Sequence, residues 1–224
     1  MTTINTNNYS LNAQKNLANN SKGLASALER LSSGLRVNSA KDDATGLASG
    51  MKIDVSARLT TVEIRQEADK ISSAQIADGA LAVVGDIMAR VIELNKMGGG
   101  SAEIAKLTAQ ASTIQTDANN AINAFGGTTF TTVGVVGTEA AASNLTAVSS
   151  ERVNHGATMN NAEFAIQAKR AAYENQQAAR SRIMDADFAE ETSRLSRFQV
   201  LQQAGTAMVS QANAIPQNVL ALLR

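Results

Sequence analysis

The sequence has no cysteine and no tryptophan, and only one proline and one histidine in 224 residues. Without cysteine, neither a disulfide framework nor a thiolate metal site can be built. His155 has no second histidine or cysteine to join it, which excludes a histidine-based zinc site and a Cys-His nucleophile. Its plain reading is a solvated residue beside Gly156. Aromatic residues make up 3% of the chain, so any core must come from Ala, Leu, Ile, Val and Met. Those residues suit helix seams better than sandwiches or barrels. Twenty basic residues balance twenty acidic ones. With no cluster of Lys and Arg, neither nucleic acid nor an anionic membrane is an expected partner. No run approaches the roughly eighteen apolar residues of a membrane span. The opening MTTINTNNYSLNAQ has neither the basic nor the apolar region of a cleavable secretory signal, so none is expected.

What is present is helical periodicity. Apolar residues at 44% against 18% charged residues describe a folded chain. Over residues 1–40, Leu17, Leu24, Leu28, Leu31 and Leu35 are spaced 7, 4, 3 and 4, a heptad seam. Ile4, Leu11, Ala18 and Ala25 form a second row at sevens. Such a helix cannot bury its seam on itself and needs a partner. Asn38 or Ser39 can cap the next helix, with Asp42 and Asp43 in its positively polarised first turn. That helix is predicted to run to about 97, where Gly98, Gly99 and Gly100 break it. A shorter one follows over about 102–124. Thr129–Val136 is β-branched and interrupted by glycine, which predicts a short hairpin, with helix resuming near 151. Asp185 and Asp187 are candidate caps for the last helix.

That last helix carries the clearest pattern. Phe198, Leu201, Gly205, Met208, Ala212, Ile215, Val219 and Leu222 repeat at 3, 4, 3, 4, 3, 4 and 3. Yet no residue from Phe198 through Leu223 is charged, and neither is any of the first fourteen. The outer face is filled by amides and hydroxyls such as Gln199, Gln202, Gln203, Ser210 and Gln211. Amides can be buried with hydrogen bonds where a charge would cost far more. Both ends therefore read as built for the inside of a large assembly. Pro216 should kink or restart the helix, at a local cost of about 3 kcal/mol unless packing offsets it.

The blocks INTNNYSLNAQKNL and ALERLSSGLRVNSAKDDATGLA resemble the N-terminal region of bacterial flagellins. AARSRIMDADFAEETSRLSRFQVLQQAGTAMVSQANAIPQNVLALLR resembles their C-terminal region. The resemblance spans about residues 1–125 and 155–224, in order and at the correct ends. It implies an all-α dominated fold, with both termini forming a long antiparallel coiled-coil-like bundle and one short β-hairpin in the middle. Residues 1–40 plus 186–224 would be the inner, channel-lining domain. Residues 41–185 would be the outer helical bundle, with the hairpin or loop at about 127–150. The space where many flagellins insert variable domains holds only that short segment, so the resemblance is to a minimal form.

The implied function is a structural subunit, not an enzyme and with no cofactor, that self-assembles with identical subunits into an extracellular filament. An export apparatus, an export chaperone and a filament cap are its implied partners. The assembly seam would comprise Leu17, Leu24, Leu28, Leu31, Leu35, Phe198, Leu201, Met208, Ile215, Val219 and Leu222. ARVIEL, with Arg90, Glu93 and Leu94, is similar to the patch that Toll-like receptor 5 reads on some flagellins. Ile114 departs from the acidic contact usual near that patch. A hook–filament junction protein and a secreted ligand of a host receptor are the alternative readings.

Overall fold

The computed structural model describes residues 6–98, 100–125, 129 and 140–222, the side chains of 140–142 and 215–222 excepted. The described elements are helices: α1 (Asn8–Ser33), α2 (Ala40–Lys96), α3 (Ser101–Ala124), α4 (Ala140–Met184) and α5 (Phe188–Leu222). The all-α expectation holds. The hairpin expected over Thr129–Val136 lies outside the described residues, Thr129 alone excepted. Helix α4 begins at Ala140, upstream of the expected 151. Its first turns, AAASNLTAV, hold good helix formers that the neighbouring threonines and glycines masked in the sequence.

Local chemistry sets the helix ends. The Asn7 side chain accepts from the Ser10 backbone N–H at 3.1 Å and caps α1. Gly34 ends that helix in the left-handed region (φ 71°), with its N–H on the Arg30 carbonyl at 2.8 Å. Helix α2 has two starts. Asp42 reaches back to the Ser39 N–H (2.9 Å) and hydroxyl (2.9 Å), a capping box closed by an aspartate. One residue on, Asp43 leaves helical geometry (φ −162°, ψ 101°), and its carboxylate accepts from the N–H groups of Thr45 and Gly46. Asp43 is thus the cap of the long helix and not a member of its first turn. Of the two candidates before α5, Asp187 is the cap, accepting from Ala189 at 2.8 Å.

The chain divides into two compact units, residues 1–55 with 176–224, and residues 56–175. The second is a three-helix arrangement around one core. Ala77, Leu81, Val84, Ile87, Met88 and Val91 of α2 pack with Ala111, Ala118 and Ile122 of α3 and Val148 of α4. Leu81, Val84, Met88 and Ile122 are fully enclosed. The ion pairs Arg152–Asp78 (2.8 Å) and Lys169–Glu63 (2.7 Å) tie α4 to α2 across the surface of this unit. His155, expected in solvent, is half-buried on α4.

The first unit is the pairing of the two ends. Its centre is the crossover where residues 34–37 run beside 184–186. Leu35 and Asp185 form an antiparallel bridge, Ala186 donates to the Gly34 carbonyl (2.9 Å), and Arg36 donates to Met184 (2.7 Å). Val37 is 1% exposed there, and Met184 packs over Gly50, where an added Cβ would sit 2.6 Å from its sulfur.

Candidate assembly surface

Helices α1 and α5 extend from the crossover as an antiparallel pair. Arg30 meets Glu191, Gly23 meets Phe198, Leu17 meets Gly205 and Ser10 meets Asn213. The buried or half-buried stripe of α1 is Ser10, Ala13, Leu17, Asn20, Leu24, Ala27 and Leu31, spaced 3, 4, 3, 4, 3 and 4. Its counterpart on α5 is Glu191, Leu195, Phe198, Gln202, Gly205, Val209 and Ala212. These are coiled-coil spacings, and the small residues let the backbones approach closely. A Cβ at Gly23 would fall 2.5 Å from the Phe198 ring, and one at Gly205 would fall 3.1 Å from Leu17. The glycines are sockets for knobs on the opposite helix.

Polar contacts fix the two ends of this pair. Near the crossover, Glu191 has a side chain 6% exposed and accepts from Arg30 and Arg194, each at 3.1 Å. A carboxylate so enclosed is tolerable because two guanidinium groups share its charge. At the far end the Ser10 hydroxyl pairs with Asn213 Oδ1 (2.7 Å), and Asn7 Nδ2 donates to the Ala212 carbonyl (2.8 Å). The second of these contacts has a particular reason. Helix α5 continues through Pro216 to Leu222 instead of breaking there. Proline has no N–H, so the carbonyl four residues earlier, that of Ala212, loses its helical donor. Asn7 occupies that carbonyl.

The expected seam residues fall into three groups. Leu17, Leu24, Leu31, Leu35 and Phe198 are half-buried within the unit. Leu28 (50% exposed), Leu201 (40%) and Met208 (63%) are not covered by the partner helix. The side chains of Ile215, Val219 and Leu222 lie outside the described residues. Leu201 and Met208 sit one step around α5 from the α1-facing stripe, because a pair of helices covers only a narrow strip of each. They wall a groove of about 400 Å³, lined also by Tyr9, Asn16, Leu17 and Gln211. Leu11 (56%) and Tyr9 (64%) stand exposed on the α1 side.

Sequence reading missed the sockets Gly23 and Gly205, the Glu191 clamp and the Asn7 contact. The signal was available for Gly205, which lies in the 3–4 repeat of α5, whereas Gly23 flanks the α1 stripe beside Leu24 and carried none. In the second unit, Arg90 pairs with Glu93 (3.1 Å) and Glu103 (3.6 Å), and all three are exposed. Leu94, by contrast, is 5% exposed and part of the packing beneath them. Among the described residues no three His, Asp or Glu side chains gather as a metal site, and no helix is long and apolar enough to cross a membrane.

Both ends of the chain match models of known protein families. Residues 4–130 match the model of the bacterial flagellin N-terminal helical region, and residues 138–223 match that of the C-terminal helical region. A flagellin of Halalkalibacterium halodurans is 33% identical over 99% of both chains. A flagellin of Xenorhabdus nematophila is 31% identical over the same share of each. The flagellar filament 33 kDa core protein of Treponema phagedenis is 29% identical, again over 99% of both.

Proposed function

Because this chain belongs to the bacterial flagellins, a family of structural proteins, we propose that its paired ends form the layer through which identical subunits assemble into the flagellar filament. The observation that carries the reading is apolar side chains left open on a helix pair whose far ends, residues 1–14 and 198–223, hold no charged residue. Leu11, Leu28, Leu201 and Met208 are each at least 40% exposed, and no charge stands near the groove on α5 beyond Arg197. Fully covering one such side chain gives roughly 1.5–3 kcal/mol. Ordering the residues that carry it costs about 1–2 kcal/mol each in backbone entropy. The α1–α5 strip alone offsets that cost poorly, and neighbouring copies complete it. Helices α2, α3 and α4 already enclose their own core. Residues 1–40 with 186–224 would then be the inner domain and 41–185 the outer one.

The same features suit passage through an export apparatus and growth outside the cell beneath a filament cap. A chain without cysteine folds on arrival with no redox chemistry. Uncharged ends also suit a channel wall, which should not grip the chain that moves along it. The exposed apolar face of α5 is the natural site for an export chaperone before assembly. Recognition by Toll-like receptor 5 would rest on the exposed Arg90 and Glu93, with Leu94 reachable only at its edge.

The direct test is seeded elongation of the purified full-length chain. Leu201→Asp should abolish elongation while leaving the helical signal and melting of the 56–175 unit unchanged. Elongation of Leu201→Asp at the parent rate would contradict the proposal. A junction protein would stop at short assemblies, whereas this chain should grow long filaments from its own seeds.

A further inference from the structure

Methionine is the soft, oxidisable side chain in a protein without cysteine, and its positions here differ sharply in access. Met88 is fully enclosed in the three-helix core, and Met184 is 6% exposed beneath the crossover. Met51, Met97 and Met208 are 62%, 69% and 63% exposed. Of these three, only Met208 walls the groove between α1 and α5, beside Leu201 and Tyr9. We infer that Met208 is an oxidation site that gates assembly: a hydroperoxide reaches it in the free chain, and the sulfoxide prevents that chain from joining a filament. The inference rests on the assembly reading above, because a second copy is what covers the groove.

The chemistry balances without a cofactor. The thioether sulfur attacks one peroxide oxygen, the O–O bond breaks and an S–O bond forms. Sulfur loses two electrons, and the departing oxygen leaves as water, or as an alcohol from an organic hydroperoxide. The product keeps nearly the same shape but carries a strong dipole. The groove mixes apolar walls, Leu17, Leu201, Ala204 and Gly205, with the amides of Asn16, Asn20 and Gln211, which can partner the sulfoxide oxygen only in part. Covering the groove with a second copy takes that dipole out of water, a cost the thioether does not carry even when the sulfoxide finds an amide partner, so the oxidised chain is disfavoured while its fold stays intact. Once a copy is assembled, its Met208 is shielded by the neighbour, whereas Met97 has no place in the groove and serves as an internal control.

The test treats the free full-length chain with hydrogen peroxide, measures oxidation at each methionine by peptide mass spectrometry, and then follows seeded elongation. Oxidised chain should elongate about tenfold more slowly, the size expected for burying a polar group that is only partly compensated. Met208→Leu should elongate at the same rate before and after peroxide, with Met51 and Met97 oxidised as before. Methionine sulfoxide reductase should restore the oxidised parent. Intact filaments given the same dose should show oxidised Met97 and spared Met208. Normal elongation of chain fully oxidised at Met208, or equal peroxide sensitivity in Met208→Leu, would overturn the inference while leaving the assembly reading standing. Failure of untreated parent to elongate would instead remove that reading, and this inference with it.

Discussion

Single residues in this chain act mostly by deciding where helices start and how closely they meet. Asp42 is an instance with a pH signature. The Ser39 hydroxyl and then the Ser39 N–H bond its charged form, and they lower its pKa below the ordinary aspartate value. A carboxyl whose folded pKa is depressed stabilises the fold above its unfolded pKa, and that contribution is lost as pH falls through the folded value. The Asp42 carboxyl should therefore titrate below the ordinary aspartate value when followed by NMR. Ser39→Ala should move its midpoint upward, and an unchanged midpoint would contradict the assignment. Gly23 makes a steric prediction. Gly23→Ala should cost about 1–3 kcal/mol of α1–α5 pairing through collision with the Phe198 ring. Adding Phe198→Leu should recover much of the loss, as read by the concentration needed for elongation. The cap at Asp42 was legible because Ser-x-x-Asp has a local mechanism. The Asp43 restart was not, since two adjacent aspartates could both sit in one first turn and only backbone geometry separates them.

At the scale of elements, the periodicity of α1, α2, α3 and α5 could be read directly, because seams spaced 3 and 4 have few other uses. Helix α4 was legible only in part. Its first turns follow a stretch of threonine, valine and glycine whose β-branched character outweighed the alanines after it. Pro216 misled for a different reason. A proline forfeits one hydrogen bond, and the sequence does not say that a residue more than two hundred positions away supplies a replacement. That replacement can be measured. Asn7→Ala should destabilise the helix pair by about 1–2 kcal/mol, because the Ala212 carbonyl is left without a donor. In a Pro216→Ala background the helix supplies its own N–H, so the Asn7→Ala effect should shrink to the share of the α1 cap, about 0.5–1 kcal/mol. A double-mutant cycle on polymer stability reads the difference. Equal effects in both backgrounds would show that Asn7 acts only as the cap of α1.

For the whole molecule, the uncharged ends said that both termini share one environment, and α1 and α5 do pair. What sequence could not tell was which rows of the seam face the partner helix and which remain open. A heptad pattern defines a stripe wider than two helices can cover, so Leu17, Leu24 and Phe198 turn inward while Leu28, Leu201 and Met208 do not. On the proposed assembly that division separates folding from polymerisation: the 56–175 unit closes its own core, and the terminal pair would be finished by other copies. Hydrogen exchange along the full-length chain, compared between dilute monomer and grown filament, tests this most directly. The account predicts slow exchange in the 56–175 core in both states, and fast exchange over 8–33 and 188–214 in the monomer that slows by orders of magnitude in the filament. Equal protection of those two terminal segments before and after assembly would contradict it.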